Sequence, residues 1–415
     1  MLSKISKATL APISGIFALC AVLFVQLAQP GFIETFSLSV FDSFQRIKPR
    51  ELLDSPVRII DIDEKSLKTR GQWPWPRTDV ATMVERLGEM GAAAIAFDIV
   101  FSEPDRTSPV RILEQLRKNG VVAETLTTHG PLDNDEAFAN TLKNWPVVAG
   151  MVLLHEPNEN KALVKSGIAI AGADPRNSLV EYGGIVGNLP ALEEAAKGVG
   201  YFSFEPDRFD RTVRRLPVIA KRGDDIHPSL VAESLRVAQQ AGTIILKSSD
   251  ASGELDWGES VSMVAAKIGD VEIPTNEAGE IWIYHAGHQP QRFISAHKLL
   301  GATGDELEKM RPLIEGHIVL IGASAAGLLD IVSTPISSST AGVEVQAEAL
   351  EMVLGGQYLH RPDWARGLEL TATVLFSLLL IVLMPAIGPL WCAVLGGIVV
   401  ATCIGGAWVA FSQYS

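Results

Sequence analysis

The fold is decided by the stretch VRIIDID at residues 57–63. Its β-branched apolar residues form a short run that is typical of a buried β-strand. An amphipathic helix is predicted next, at residues 78–90, because apolar side chains recur there at helical spacing until Gly91 ends the pattern. A second strand is predicted at residues 92–101. These elements follow one another in the order strand, helix, strand.

The same alternation continues along the chain. A helix is predicted at residues 135–142 and a third strand at residues 146–154. It returns near the other end, with a strand at residues 317–322 and a helix at residues 342–354. Residues 161–184 are rich in glycine and alanine and are predicted to form a loop. Strands that alternate with helices indicate an α/β domain with a mainly parallel sheet.

Apolar segments at both ends of the chain predict three transmembrane α-helices, one N-terminal and two C-terminal. No charged residue lies between Ala8 and Ile33, and none follows Glu369. The C-terminal run is divided by prolines and a glycine near residue 388, so that each half is long enough to cross the hydrocarbon layer. The predicted spans are residues 10–29, 367–386 and 389–411.

The positive-inside rule orients these spans, because Lys4 and Lys7 precede the first one. Residues 1–9 are then a cytoplasmic N-terminus, residues 30–366 form an extracytoplasmic domain, and residues 412–415 end outside. A cleaved signal peptide is the alternative for the first span. The sequence QLAQP, which follows the apolar core, is a poor cleavage site and favours an uncleaved anchor.

Composition excludes some partners and constraints. The net charge of −13 and the lack of a cluster of lysines and arginines argue against nucleic acid as a partner. Cys20, Cys392 and Cys403 all lie in the apolar segments. The domain between these segments is therefore predicted to fold without disulfide bonds.

Three aspartates mark the predicted ligand-binding edge of the sheet. Asp61, Asp63 and Asp98 fall at the carboxyl ends of predicted strands, where open parallel sheets bind their ligands. Their carboxylates could hold a cation or a polar ligand. The alternative is that they cap the following helices or pair with Arg77. The lack of a calcium-binding loop pattern favours this alternative.

The motif WPWPR at residues 73–77 has two interpretations. Trp73, Trp75 and Arg77 could present a rigid aromatic wall to a ligand. They could also form a structural clamp, with both indoles packed on the sheet and the arginine in an ion pair. The clamp is favoured, because a buried tryptophan usually belongs to the core.

A small-residue loop, GASAAG at residues 322–327, follows the strand predicted at residues 317–322. Backbone amides in such a loop can bind an anion, although close backbone packing explains the small residues equally well. Ser324 and Asp330 complete the candidate ligand-binding residues. His285 and His288 lack the pattern of a metal site, and no nucleophile motif is present. No catalytic residue, metal or cofactor is expected.

A series of short motifs runs through nearly all of the domain between the apolar segments. In order, they are Asp61 and Asp63, WPWPR at 73–77, DIVFSEP at 98–104, GYF at 200–202, DRTVRR at 210–215, GASAAG at 322–327, Thr334-Pro335 and GVE at 342–344. This series resembles the second type of CHASE domain, the cyclase- and histidine-kinase-associated extracellular sensor. One departure is Arg211, since the family often has glycine after the aspartate at position 210.

The resemblance implies the sensor and membrane part of a bacterial signalling receptor. The receptor would be a multi-pass protein of the cell inner membrane with a periplasmic sensor. Its cytoplasmic effector, such as a class III adenylate cyclase that makes cAMP from ATP, is missing from this chain, which is therefore expected to be a fragment. Whether the parent protein is an enzyme stays open.

The resemblance also implies the partners of the chain. They are an unknown small ligand or extracytoplasmic protein, the membrane, and a second copy in a homodimer, because class III cyclases generally need two catalytic domains together. The alternative function is a free-standing membrane-anchored scaffold that binds another extracytoplasmic protein.

Overall fold

The structure is a computed structural model that describes residues 7–28, 31–51, 56–120, 131–251, 261–328, 331–359 and 364–414. The chain divides into two compact units. The helical unit comprises Met1–Pro49 and Leu359–Ser415, and the α/β unit comprises Arg50–Tyr358. The helices of the described residues are α1 Lys7–Ala28, α2 Gly31–Ile47, α3 Glu64–Arg70, α4 Arg77–Glu89, α5 Pro109–Lys118, α6 Asn134–Asn144, α7 Pro190–Ala195, α8 Leu230–Ala238, α9 Ala296–Gly301, α10 Gly304–Ile314, α11 Gly342–Leu354 and α12 Trp364–Tyr414.

The strands confirm the mixed α/β architecture that the alternating pattern predicts. The predicted strand at residues 92–101 is shorter in the structure, because the carboxyl-terminal part of that stretch leaves the sheet. The strands are β1 Val57–Asp61, β2 Ala94–Phe97, β3 Val147–Leu154, β4 Gly167–Ala171, β5 Gly184–Val186, β6 Gly198–Tyr201, β7 Arg215–Pro217, β8 Ile219–Arg222, β9 Asp225–Pro228, β10 Thr243–Ser248, β11 Met263–Ile268, β12 Val271–Pro274, β13 Glu280–Trp282, β14 Phe293–Ser295, β15 Ile318–Gly322, β16 Ile331–Val332 and β17 Thr340–Ala341.

The main sheet has the order β14-β1-β15-β2-β3-β5, with β6 also paired to β3. All of its pairs are parallel except β3 with β5. The register places Asp61 opposite Gly322 of β15 and opposite Ser295 of β14. The carboxyl ends of three neighbouring strands therefore meet at one edge of the sheet.

Helices cover both faces of this sheet. Ile60 packs in one apolar core with Val84 and Leu87 of α4. Successive strand residues point to opposite faces, so Ile59 and Asp61 point to the other face, where α8 and α11 contact the strands. α11 is buried from Gly342 to Val353. Any charged side chain on this helix must therefore find a partner inside the protein.

The predicted loop at residues 161–184 is wrong in part. Residues Gly167–Ala171 form β4, which pairs in parallel with β10 at the edge of a second sheet of order β12-β11-β10-β4. The composition of β4 does not indicate a strand, because glycine and alanine have low β propensity. The pairing with β10 supplies the hydrogen bonds, which is a tertiary effect that overrides local preference.

In the helical unit, the first half of α12 contacts α1 and its second half contacts α2. A Cβ atom on Gly15 of α1 would lie 2.7 Å from Ile381, so the two helices approach closely there. The ring of Phe44 in α2 lies 5.4 Å from Trp408, and Lys48 Nζ donates to the carbonyl of Ser412 at 2.5 Å. α12 is bent at Gly388, whose positive φ of 79° divides it into two helical halves.

One helix of the described residues, Leu390–Gln413, is long and apolar enough to cross a membrane. The pair Gly15–Gln26 and Gly31–Ile47 would count as a second span, but it is bent by 71°. Gly367–Leu383 is apolar and shorter than a full span. The structure thus supplies one candidate span, or two with the bent pair, and the three-span topology stays a prediction.

Cysteine labelling tests this topology. On a background without Cys20, Cys392 and Cys403, we expect a membrane-impermeant maleimide to label a cysteine at Glu194 in spheroplasts. A cysteine at Ser3 should react only after lysis, because the first span keeps it inside. A cysteine at Ser415 should react from outside if there are three spans. Protection of Ser415 and exposure of Ser3 would each contradict the predicted orientation.

Candidate functional site

A cavity of about 350 Å³ opens at the carboxyl edge of the main sheet, where β14, β1 and β15 end. The amino-terminal turn of α11 forms another side of it. Its volume lies at the lower end of the range for small-molecule sites, which is roughly 300–1,000 Å³. The lining residues are Asp61, His288, Pro290, Phe293, Ser324, Ile331, Ser339, Ala341 and Glu344.

Asp61 and Ser324, both predicted from the sequence, meet in this cavity. The backbone amide of Ser324 donates to Asp61 Oδ1 at 3.0 Å, and its hydroxyl donates to Oδ2 at 2.7 Å. Burial raises the pKa of Asp61, the bonds from Ser324 lower it in part, and the charges of Asp63 and Glu344 raise it further. The amide that could bind an anion therefore already serves an internal carboxylate.

The small-residue loop also permits close packing, as the alternative interpretation predicts. A Cβ atom on Gly322 would lie 2.6 Å from Cβ of Val343, closer than two such atoms can approach. Glycine at this position therefore lets the first turn of α11 lie directly against the end of β15. This contact brings Glu344 to the cavity.

Asp63 caps a helix, as one of the two sequence interpretations predicts. Its Oδ1 accepts hydrogen bonds from the amide and the hydroxyl of Ser66, each at 2.7 Å, at the start of α3. Burial acts to raise the pKa of Asp63, but these bonds and the one from Ser295 outweigh it and lower the pKa. Its carboxylate therefore has a structural partner.

The remaining strand-end candidates are Asp98 and Asp330. Asp98 is buried after β2 and is not among the lining residues. Asp330 lies outside the described residues. Of the predicted strand-end set, the structure therefore brings Asp61 and Ser324 together at this cavity.

The WPWPR motif forms the structural clamp. The indole of Trp75 is buried and donates to the carbonyl of Gly71 at 2.9 Å, and Trp73 packs against it at 5.4 Å in an edge-on arrangement. Both indoles contact the apolar core of the main sheet. The aromatic wall that the sequence also allowed is not part of the cavity.

Arg77 makes an ion pair, as the clamp interpretation predicts, but its partner is not one of the strand-end aspartates that the sequence analysis proposed. Its Nε lies 3.4 Å from Asp135 of α6, and its guanidinium lies 4.4 Å from the centre of the Phe101 ring. Its backbone amide donates to Asp105 at 2.8 Å. The pairing joins α4 to α6 because those helices pack side by side, which the strand-end pattern does not indicate.

A buried charge network on α11 is the main feature that the sequence analysis missed. Glu344, Glu348 and Glu351 lie one turn apart along the helix and are all buried. Arg292 makes two hydrogen bonds of 2.7 Å with Glu351, and a third lies between Glu351 and Arg50 at 2.8 Å. The sequence signal that could have indicated this network is the helical spacing of acidic residues in an otherwise apolar helix, because buried carboxylates require partners.

Glu348 forms the centre of the network. His285 Nδ1 lies 2.6 Å from Glu348 Oε2, and the amides of Ala286 and Gly287 donate to Oε1 at 3.0 and 2.8 Å. Burial opposes ionisation, but the charge and hydrogen bond of His285, with the charges of Arg292 and Arg50, lower the pKa of Glu348. Glu348 is therefore held as a carboxylate.

Arg50 joins the two ends of the α/β unit. The chain enters this unit at Arg50 and leaves it at Tyr358. Besides Glu351, the Arg50 guanidinium donates to the carbonyl of Tyr284 at 3.0 Å and to Gln357 at 3.3 Å. One buried side chain therefore contacts α11, the segment that follows β13 and the segment that follows α11.

Within the described residues, no group of three or more histidine, cysteine, aspartate or glutamate side chains is arranged to hold a metal ion. His285 and His288 instead contact Glu348 and Glu344 respectively.

The motif series and the cavity at the strand ends can be compared with known families. The family model of the CHASE2 domain matches residues 17–385. The chain belongs to the CHASE2 domain family. CHASE2 is an extracellular sensor domain of signalling receptors. Searches of the curated proteins and of the solved structures find no match to this chain.

The pH dependence of stability tests the charge network of this CHASE2 domain. We expect Glu348→Gln to destabilise the full chain by about 3 kcal/mol at pH 7, because it breaks a buried ion pair. The lowered pKa of Glu348 contributes stability that is present above the ordinary glutamate value of about 4.3 and is lost as the pH falls through the folded value. Urea unfolding in mild detergent at pH 7 and pH 4 measures both effects.

The difference in free energy of unfolding between Glu348→Gln and the unmodified chain should therefore be smaller at pH 4 than at pH 7. Glu194→Gln is the matched control, because Glu194 is exposed, and it should change the free energy of unfolding by less than about 0.5 kcal/mol. A Glu348→Gln difference that is constant with pH, or no larger than that of the control, would contradict this assignment.

Proposed function

We propose that this chain is the extracytoplasmic sensor and membrane-anchoring region of a signalling receptor. A ligand in the cavity shifts α11, and the shift reaches both chain connections to the helical unit. The observation that carries this proposal is the ion pair between Arg50 and Glu351, at 2.8 Å with both side chains about 1% exposed.

The helix α11 connects the cavity to the ends of the unit. Glu344 in its first turn lines the cavity, and Glu351 lies in its last turns. Its 13 residues span about 20 Å. Because a hydrogen-bonded helix moves as one body, a displacement at Glu344 also displaces Glu351.

A displacement of Glu351 acts on both chain connections of the α/β unit. Arg50 is the first residue of the unit, and α11 ends at Leu354, four residues before the chain leaves the unit at Tyr358. A movement of Glu351 therefore displaces the segments at which the chain enters and leaves the α/β unit. Such a movement transmits a signal only if the membrane helices have two discrete arrangements.

A membrane receptor with three spans supplies such helices. The apolar helix Leu390–Gln413 supports one span. The contact of Lys48 with Ser412 supports a last span that ends on the same side as α2. In this proposal the receptor is a multi-pass protein of the inner membrane, with its α/β unit in the periplasm.

The proposed output is a cytoplasmic effector, such as a class III adenylate cyclase, and the proposed assembly is a parallel homodimer. The family resemblance supports the effector, and the effector's need for two catalytic domains supports the dimer. Glycines in the second half of α12 add to this, because a Cβ atom on any of them would meet nothing within 4 Å. A second helix could therefore approach closely at Gly396, Gly397, Gly405 and Gly406.

Cysteine crosslinking in native membranes tests the proposal. On the cysteine-free background, single cysteines from Phe36 to Phe44 should crosslink between copies with a helical period, because α2 is helical there. Arg50→Met removes the guanidinium that ties the connections together. We expect it to change the rate of the strongest crosslink at least twofold.

Arg111→Met is the matched control, since Arg111 is about half exposed and pairs only with its neighbour Glu114 among the described residues. It should leave the crosslinks unchanged. Absent crosslinks together with a monomeric mass in mild detergent would reject the dimer. An equal crosslink pattern for the Arg50→Met variant and the unmodified chain would reject the coupling.

A further inference from the structure

Two carboxylates face the cavity from different elements. Asp61 ends β1 and Glu344 lies in the first turn of α11, and both are more than nine-tenths buried. They come close enough for the charge of Glu344 to act on the ionisation of Asp61. The cavity therefore contains two buried carboxylates, whereas its lining residues His288 and Ile331 are exposed to solvent.

The two carboxylates have different partners in the protein. Glu344 lies 3.0 Å from the imidazole of His288 and 3.6 Å from the guanidinium of Arg292, and this guanidinium also holds Glu351. The hydrogen-bond donors of Asp61 within the described residues are the amide and hydroxyl of Ser324, and neither is charged. A carboxylate has about four acceptor positions, so Asp61 keeps capacity for a donor from inside the cavity.

This arrangement disfavours an anionic ligand. An anion would meet two carboxylates, and the loop amide that could bind it already donates to Asp61. Among cations, a bare metal ion finds no group of three or more histidine, cysteine, aspartate or glutamate side chains arranged to hold it within the described residues. A positively charged ligand that donates hydrogen bonds fits the same carboxylates.

The lining also contains apolar side chains. Pro290, Phe293 and Ile331 line the cavity together with the polar residues His288, Ser324 and Ser339. An aromatic face also attracts a cation within about 6 Å of its centre. The lining therefore suits a molecule that carries its charge at one end and an apolar group at the other.

We infer that the cavity binds a small organic cation, an amine or a guanidine with an apolar group. Its charged end hydrogen-bonds to Asp61 and Glu344, and its apolar group packs on Phe293. This inference rests on the proposed function of the same cavity, for which it names the ligand class. Binding at Glu344 places the ligand directly on the helix that leads to Arg50.

Thermal unfolding of the full chain in mild detergent at pH 7.5 tests the inference. The probes are 2-phenylethylamine and butylguanidine as cations, 2-phenylethanol as the neutral analogue and phenylacetate as the anionic one. We expect each cation, at about ten times its dissociation constant, to raise the melting temperature by about 2 °C. The neutral and anionic analogues should leave it unchanged.

Three variants locate the effect. Asp61→Asn and Glu344→Gln keep the shape of the site and should weaken cation binding at least tenfold by calorimetry. Ser339→Trp at the exposed edge of the cavity keeps both carboxylates and should block binding by occupying the space. Glu194→Gln removes an exposed charge on α7 and should bind like the unmodified chain. Melting temperatures without probe show that each variant is folded.

Three results would overturn the inference: no shift with either cation, an equal shift with phenylacetate, or full binding retained by all three cavity variants. Binding is measured here without any readout of the membrane helices. A failure of the ligand class and a failure of the proposed coupling are therefore distinguishable, because the crosslinking experiment uses no probe.

Discussion

The structure of the α/β unit depends on the pairing of Glu351 with Arg50 and Arg292. α11 is buried along its length and carries three glutamates, and a buried carboxylate without a partner is strongly unfavourable. The two guanidiniums and His285 supply that compensation from segments that lie far from α11 in sequence. The network therefore fixes how α11 lies against the sheet and against the segments around it. It also makes α11 the element through which the cavity and the ends of the unit are connected.

The topology of the sheet places the cavity beside the first turn of α11, which carries Glu344 of this network. β1 lies between β14 and β15 in parallel register, so the residues at the ends of all three strands share one edge. Glycine at position 322 lets α11 approach that edge, and Glu344 then lines the cavity together with Asp61. The same helix continues to Glu351, where it meets Arg50. A site at the strand ends and a connection to the rest of the chain thus follow from one helix packed on one face.

Local pattern predicted the elements that carry strong periodicity. The strand β1 and the helices α4 and α11 fall where the residues indicate them, and the parallel arrangement brings Asp61 and Ser324 together as the strand-end argument predicts. Two kinds of feature could not be predicted. The strand β4 depends on pairing with β10, and α3 has only 7 residues, too few for a helical period. The partners of α11 depend on contacts across the fold: Arg50 and Glu351 are 301 residues apart, and no local pattern connects them.

A double-mutant cycle between Arg50 and Glu344 tests the central claim most directly. Arg50→Met, Glu344→Gln and the double variant are unfolded by urea in mild detergent, and the coupling free energy is taken from the four proteins. Arg292 lies 3.6 Å from Glu344, and Glu351 and Glu348 each lie close to both Arg292 and Arg50. If the network connects the cavity to the ends of the unit, the coupling free energy should be about 1 kcal/mol or more. Effects that add to within about 0.5 kcal/mol, as they do for independent sites, would contradict the account.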